Sequence, residues 1–223
     1  MRKEIDKEKE IVNTVLHWSR RNIRDFPWRN GFSPYRVLIA ELLLRRTTAQ
    51  AVQRVYDEFI ETYPDLQHLS KASIGELEDR LKTLGYHRLR AILIREVVSE
   101  MLSKYKGIPD TLEELLSIKH IGLYTAAAII SLGYNKPLPM VDTNVLRILG
   151  RVYGRSMTQQ QAFELLKGKL PVDSRRFNLS LLDFGALVCR YKNPLCHVCP
   201  LNDSCTYYQI KVKNTKYREQ GPS

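Results

Sequence analysis

The sequence predicts an all-α protein, and two observations carry that prediction. No stretch shows the sustained apolar/polar alternation of a half-buried strand, and the β-branched residues fall mostly within helical spacings. The 10 prolines and 11 glycines are spread along the 223 residues as single breaks and form no low-complexity tract. Both features favour short helices joined by tight turns.

Apolar periodicity and capping residues predict the helices in chain order. Residues 24–35, with Pro27 and Pro34, are predicted to form a loop, and RRTT (45–48) is predicted to break the helical run of 37–63. TLEELLSI (111–118) begins on a Thr followed by acidic residues, which is typical of a helix N-terminus. The remaining helices are predicted over 8–22, 72–85, 86–105, 123–134, 143–153, 158–169 and 177–189.

The chain is strongly basic. It has 35 Lys and Arg against 24 Asp and Glu, a formal charge of +11 and a pI near 9.5. Such a balance favours a polyanionic partner, through phosphate neutralisation and counterion release, although an ordinary basic surface would explain the charge equally well.

No segment has the roughly 20 apolar residues of a membrane helix. The N-terminus, MRKEIDKEKE, is too charged for a signal peptide, so a cytoplasmic location, at the nucleoid, and no membrane partner are expected.

All four cysteines lie in one short segment, CRYKNPLCHVCPLNDSC. In a reducing compartment, thiols are ligands more often than disulfide partners. Four thiolates satisfy the ligand count of a [4Fe-4S] cluster. Tetrahedral zinc stays open as an alternative, but zinc sites usually show two short Cys pairs and this segment has a single C-x-x-C pair. The predicted ligands are Cys189, Cys196, Cys199 and Cys205.

Two cations, Arg190 and Lys192, lie between the first two cysteines. They are candidates for contact with a phosphate backbone, and equally for an ordinary solvated charge pair.

A helix, a tight turn containing Gly122 and a second helix form a helix-hairpin-helix pattern. Backbone N–H groups at such a turn can hold a DNA phosphate without reading sequence. Asp142 follows at the mouth of another helix, where, taken alone, it is best interpreted as an N-cap.

The hairpin, the Pro-rich turn, Asp142 and the C-x6-C-x2-C-x5-C spacing together resemble the endonuclease III superfamily of base-excision DNA glycosylases, over about residues 22–208. The resemblance implies two helical domains flanking a cleft. One is a helical barrel with the hairpin, residues 30–145, and the other combines residues 1–29 and 146–223 and carries the cluster loop. It also implies a monomer that binds mismatch-containing double-stranded DNA and flips the target base out of the stack.

The resemblance assigns the catalytic carboxylate to Asp142, which would stabilise the cation-like sugar as the base leaves or assist an attacking water. Strand-cutting members of the family carry a Schiff-base lysine two residues after the second hairpin glycine. That position is Tyr124 here, which implies base release that leaves an abasic site. A simple packing role is the alternative for Tyr124.

Glu41 matches an acidic position of the mismatch-specific members. Burial in its apolar run would raise its pKa and allow it to donate a proton to the departing base. The alternative is an exposed helix carboxylate paired with Arg45.

Arg46 matches a residue that the family inserts into the duplex as a wedge, and its alternatives are a phosphate contact or a surface charge.

At the hairpin, the resemblance implies bound phosphate and a monovalent cation, with His120 and Gly122 at the turn. His120 stands where the family's LPGVG-like turn has its first glycine. If this position requires a positive φ, histidine is tolerated there less well than glycine.

Two substrate classes compete. LLRRTTA (43–49), Tyr124 and FNL-x-L-x-DF (177–184) resemble the glycosylases that remove thymine and uracil mispaired with guanine, and this class is the prediction. LGYHRLRA (84–91) is closer to the adenine glycosylases, which act on A·G or A·8-oxoguanine pairs and normally add a C-terminal domain that is not expected after Cys205. A non-catalytic DNA-binding iron–sulfur protein and a redox carrier are further alternatives. The first would be expected to lack Asp142, and the second to be acidic.

Overall fold

The computed structural model describes residues 7–213, and the side chains of residues 7–211. Residues 1–6 and 214–223 lie outside the described part, and with them most of the N-terminal segment interpreted above. Residues 7–213 contain no strand, which confirms the predicted all-α class. The α-helices, numbered α1 to α12, are Lys7–Ser19, Pro34–Leu43, Ala49–Gln53, Tyr56–Thr62, Leu66–Lys71, Ile74–Leu81, His87–Tyr105, Leu112–Leu116, Leu123–Ala128, Thr143–Tyr153, Gln159–Leu166 and Ser174–Leu187.

Tighter and wider helical turns complete the described structure. A π-helical turn continues α9, and a second one ends the described chain, while single 3-10 turns lie elsewhere. The π turns are Ile129–Gly133 and Tyr208–Lys213, and the 3-10 turns are Pro27–Arg29, Lys82–Leu84 and Cys196–Val198. Within residues 7–213, no helix combines the length and apolar character that a membrane crossing requires.

Side-chain caps set the helix boundaries much as the sequence suggests. Thr48 accepts a hydrogen bond from the Ala51 amide at 3.2 Å and begins α3, which confirms the break at RRTT. Thr111 caps α8 through the amide of Glu114. Each cap supplies an acceptor for an amide that has no partner inside its helix.

The chain divides into two compact units. The continuous unit is Asp25–Lys136, and the split unit combines Met1–Arg24 with Pro137–Ser223. The predicted domain boundaries were 29/30 and 145/146. The division at 24/25 and 136/137 assigns Asp142 and the whole of α10 to the split unit.

Helix α2 forms the centre of the continuous unit. It is buried on every side, with Leu38, Ile39 and Leu42 fully enclosed, and it packs against α9 and the following π turn. The approach is close because the π turn presents Gly133, where an added Cβ would lie 2.7 Å from the Cα of Pro34. Glycine is therefore required there by space.

The split unit is built on α1, α10 and α12. Trp18 of α1 meets Phe184 of α12 edge-on, with ring centroids 5.1 Å apart. Asp183, fully buried on α12, accepts hydrogen bonds from the backbone amide and the Nε of Arg24 at 2.8 and 2.6 Å. Gly185 allows α12 to approach α10, since an added Cβ would lie 2.6 Å from the Cβ of Asn144.

We expect Gly133→Ala to destabilise the protein by about 1–3 kcal/mol, because the new methyl group overlaps backbone atoms of Pro34 that cannot move aside. Gly75→Ala is the matched control. Its Cβ would have ordinary contact at 3.9 Å, and alanine favours the helix. Urea unfolding of both variants measures the difference, and equal midpoints would contradict the packing argument.

Candidate functional site

Asp142 begins α10 as its N-cap, as the sequence alone suggests. Its Oδ1 accepts a hydrogen bond from the amide of Val145 at 2.9 Å, and its Oδ2 accepts one from the Nδ2 of Asn144 at 2.7 Å. The carboxyl group is largely removed from water, and this burial raises its pKa more than the hydrogen bonds from Val145 and Asn144 and the charge of Arg147 lower it. The site therefore holds an oriented carboxylate whose charge is only partly compensated.

Arg147 fixes the amide that holds Asp142. Its Nη2 donates to the Oδ1 of Asn144 and to the carbonyl of Gly185, both at 2.7 Å, so the other end of the Asn144 amide faces Asp142 as a donor. Its Nε donates to the carbonyl of Cys189, also at 2.7 Å. Hydrogen bonds therefore connect Asp142 to the first cysteine of the predicted cluster loop.

The four cysteines are free thiols that line one small cavity together with apolar side chains such as Val188 and Leu195. The disulfide alternative is thus not found. Among the described residues, no group of three or more His, Cys, Asp or Glu side chains has an arrangement that could hold a metal ion.

The surroundings of the sulfurs combine burial with hydrogen-bond donors, and burial raises the pKa of the Cys196, Cys199 and Cys205 thiols. Arg151 places its Nη1 3.4 Å from the Sγ of Cys189, and the amide of Leu201 donates to Cys199. The amides of Tyr207 and Tyr208 donate to Cys205. These donors oppose the effect of burial, and they would stabilise the negative charge of thiolates that bind a cluster.

The loop between the first two cysteines projects into solvent. Arg190, Lys192 and Tyr191 are exposed, and Tyr191 retains 78% of its accessible surface. Arg151 anchors this loop, because its guanidinium donates to the carbonyls of Arg190 and Tyr191 at 2.8 and 3.2 Å. The two predicted phosphate contacts are therefore available on a loop whose backbone is held.

Glu41 lies in the continuous unit, on the enclosed helix α2, and is only 9% exposed. The alternative of an exposed helix carboxylate is wrong, because α2 is covered on every side. Its charge does act on Arg45, one turn later. Burial lowers the pKa of Arg45, and the charge of Glu41 partly opposes that change.

The hairpin consists of α8, a turn and α9. Gly122 caps α9 with φ −95°, and an added Cβ there would meet no atom within 4 Å, so the turn is open to solvent. His120 does adopt a positive φ of 70°. Glu96 braces it, pairing with the Nε2 of His120 at 2.7 Å and with the Nζ of Lys119 at 2.9 Å.

Tyr124 lies in the first turn of α9, half-buried and engaged with its surroundings. Its two possible roles, as a packing residue and as the replacement for a nucleophilic lysine, are compatible with that position.

Arg46 is exposed, has a positive φ of 51° and lies over the ring of Tyr86, 5.8 Å from its centroid. Sequence reasoning missed Tyr86, which is 59% exposed and also has a positive φ. It missed Asn144 and Arg147 as well. Signals for these residues were present, since Tyr86 follows a glycine inside LGYHRLRA, and Asn144 and Arg147 lie within a turn and a half of Asp142.

The structure thus brings two groups of predicted residues together. In the split unit, Asp142 is connected to Cys189 and its loop. In the continuous unit, Glu41 lies on α2, Arg46 follows the end of that helix, and Arg45 connects this end to the hairpin turn.

Comparison with known proteins agrees with this picture. Residues 39–171 match the model of the HhH-GPD superfamily of base excision DNA repair proteins. The chain is 34% identical to a thymine/uracil-DNA glycosylase of Methanothermobacter thermautotrophicus, over 91% of this chain and 95% of that protein. It is 31% identical to an adenine DNA glycosylase of Buchnera aphidicola, over 92% of this chain and 61% of that longer protein.

Solved structures show the same fold. A thermostable thymine-DNA glycosylase superimposes with a TM-score of 0.86 at 33% identity, covering 92% of this chain and 98% of that one. A trapped endonuclease III–DNA covalent intermediate gives a TM-score of 0.79 at 22% identity, covering 91% and 96%. The match to the family model and the near full-length similarity to its relatives lead to one conclusion: this chain belongs to the HhH-GPD superfamily of base excision DNA repair proteins.

Proposed function

We propose that this protein is a monofunctional DNA glycosylase that removes thymine, and uracil, mispaired with guanine and leaves an abasic site. The observation that supports glycosylase activity is the oriented, largely buried carboxylate of Asp142, which accepts hydrogen bonds from Val145 and Asn144. The choice of base rests on the near full-length similarity to thymine/uracil-DNA glycosylases of Methanothermobacter thermautotrophicus and Pyrobaculum aerophilum, each 34% identical.

The chemistry follows from the glycosidic bond. As the base departs, C1′ of the sugar gains positive charge, which a nearby carboxylate stabilises. Asp142 supplies that charge, and burial strengthens the interaction because little water screens it. Glu41, buried on α2, supplies a proton or hydrogen bond to the leaving base.

Tyr124 determines how the reaction ends. A phenol forms no Schiff base with the sugar, so water attacks C1′ and the strand stays intact. The half-buried position of Tyr124 in the first turn of α9 supports this role.

DNA binding is assigned to backbone groups and cations. The open turn at Gly122 accepts a phosphate and, through its carbonyls, a monovalent cation, while His120 supports the turn from its strained conformation. Arg190 and Lys192 contact the backbone from the cysteine loop, and Arg46 enters the duplex beside the vacated site. The partner is a mismatched duplex, bound by a monomer in the cytoplasm at the nucleoid.

The four cysteines are proposed to hold a [4Fe-4S] cluster, with zinc as the alternative. The apolar cavity that they line and the amides aimed at their sulfurs support it. When bound, the cluster maintains the loop that carries Arg190 and Lys192, as a structural cofactor.

Adenine is the second candidate base. LGYHRLRA and the 31% identity to an adenine DNA glycosylase favour it. The thymine and adenine hypotheses predict the release of different bases in the same assay.

We expect release of thymine from G·T duplexes and uracil from G·U duplexes, and none of adenine from A·G or A·8-oxoguanine. Labelled duplexes treated with alkali after incubation measure this. Asp142→Asn should bind the G·T duplex normally and lose at least about 100-fold in rate, because asparagine caps the helix but carries no charge.

Asp173→Asn is the matched control for that variant, since Asp173 caps α12 in the same unit through the amide of Arg176 at 3.0 Å. It should retain full activity. Adenine release instead of thymine release would overturn the choice of base, and an active Asp142→Asn would remove Asp142 from the mechanism.

We expect Tyr124→Lys to gain a strand-cutting activity, because an amine at this position can attack C1′ and form a Schiff base. Borohydride should then trap a covalent enzyme–DNA adduct that the parent protein does not form. Tyr105→Lys, another half-buried tyrosine of the continuous unit, is the control and should give none. The absence of both adduct and nicking in Tyr124→Lys would mean that position 124 does not face the sugar.

We expect anaerobically purified protein to be brown, to absorb near about 400 nm and to contain about four iron atoms per chain, as a [4Fe-4S] cluster requires. Cys199→Ser should lose much of this absorbance, whereas Ser204→Ala, a change of a half-buried residue in the same loop that is not a predicted ligand, should keep it. A colourless preparation with one zinc per chain would contradict the assignment.

A further inference from the structure

Arg90, on α7, is a buried cation at the end of α2. It is 5% exposed, its Nη1 donates to the carbonyls of Leu42 and Leu43 at 2.8 and 2.9 Å, and its Nη2 donates to that of Arg45 at 2.7 Å. The last carbonyls of a helix have no partner within it and carry partial negative charge. One guanidinium therefore caps the C-terminus of the helix that carries Glu41.

Arg45 extends this connection to the hairpin. Its carbonyl accepts from Arg90, and its own guanidinium donates to the carbonyl of His120 in the hairpin turn. Two arginines in series thus join α7, the end of α2 and the turn before Tyr124. All these contacts lie within the continuous unit.

Three strained residues lie next to these two arginines. Arg46 follows Arg45 in the chain. The carbonyl of Tyr86 accepts a hydrogen bond from the backbone amide of Arg90 at 2.9 Å, and the carbonyl of His120 accepts one from the guanidinium of Arg45. Each is a non-glycine residue with positive φ, at 51°, 48° and 70° in that order. Such conformations are energetically unfavourable for residues with a side chain and persist only where surrounding contacts enforce them.

The same arginines line a cavity of about 250 Å³, together with Arg46, Tyr86 and Leu89. The Nε of Arg90 has no hydrogen-bond partner among the described residues. A buried cation retained with one donor unsatisfied is costly, and its three bonds to the end of α2 are what the structure gains from it.

We propose that Arg90 and Arg45 are positioning residues that hold Glu41, the Arg46–Tyr86 pair and the hairpin turn in fixed relation before DNA arrives. The inference rests on the proposed function for its catalytic consequence. Its structural content is independent, since the connection exists without DNA. Preorganisation of this kind raises the rate of the bound complex more than it raises affinity for ordinary duplex.

The test compares Arg90→Lys and Arg45→Met with Arg95→Lys. Lysine keeps the charge at position 90 but its single ammonium cannot serve three carbonyls. Arg95 is the matched control, because it also lies on α7 and donates to a backbone carbonyl, that of Ala72, away from α2. Single-turnover excision with saturating enzyme separates the rate constant from the active fraction, so partial misfolding lowers only the amplitude.

We expect the excision rate constant of the first two variants to fall about 10- to 100-fold, with affinity for undamaged duplex within about twofold of the parent. Hydrogen exchange without DNA should become faster in a peptide covering residues 117–124 in both variants. The control should change neither quantity. Parent-like exchange in Arg90→Lys and Arg45→Met would overturn the proposal, and so would parent-like excision rates in both variants of an active parent.

The two proposals fail separately. If the parent protein releases no base from any duplex, the proposed function fails, while hydrogen exchange still decides whether the arginines fix the hairpin. If the parent is active and exchange alone is unchanged, the positioning role is refuted and the function stands.

Discussion

Unpaired carbonyls at helix ends are the constraint that shapes this protein. A chain folded into many short helices leaves several carbonyls without partners at each C-terminus, and buried ones must be paired. Arginine side chains meet this need repeatedly. Arg90 donates to carbonyls at the end of α2, and Arg147 donates to the carbonyls of Gly185 and Cys189. Arg151 donates to carbonyls of the loop after Cys189. The planar guanidinium suits the task because one group can reach several acceptors.

These pairings lie where function is proposed. Arg147 orients Asn144, which in turn orients Asp142, and the same guanidinium binds the first cysteine residue of the loop. The same side chains therefore hold the cysteine loop and orient the proposed catalytic carboxylate. The carbonyl of Cys189 is thus connected to the carboxylate of Asp142 through the side chains of Arg147 and Asn144, both on α10.

Local features were predictable from the sequence, and distant ones were not. The Thr111 cap, the break at RRTT and the N-cap position of Asp142 depend on contacts within three or four residues, which a sequence displays directly. The burial of Glu41 depends on packing between α2 and α9, about 80 positions later in the chain. The carbonyl partners of Arg90 and Arg147 lie roughly 40 to 50 residues away, and the pattern of charges alone does not reveal them.

The N-cap position of Asp142 has a genetic consequence. Aspartate codons become asparagine codons when their first guanine is replaced by adenine, which is the outcome of cytosine deamination on the complementary strand. Asparagine caps a helix as well as aspartate does. If Asp142 has the proposed role, unrepaired damage at this codon would yield a folded protein without activity, rather than an unfolded one removed by proteolysis.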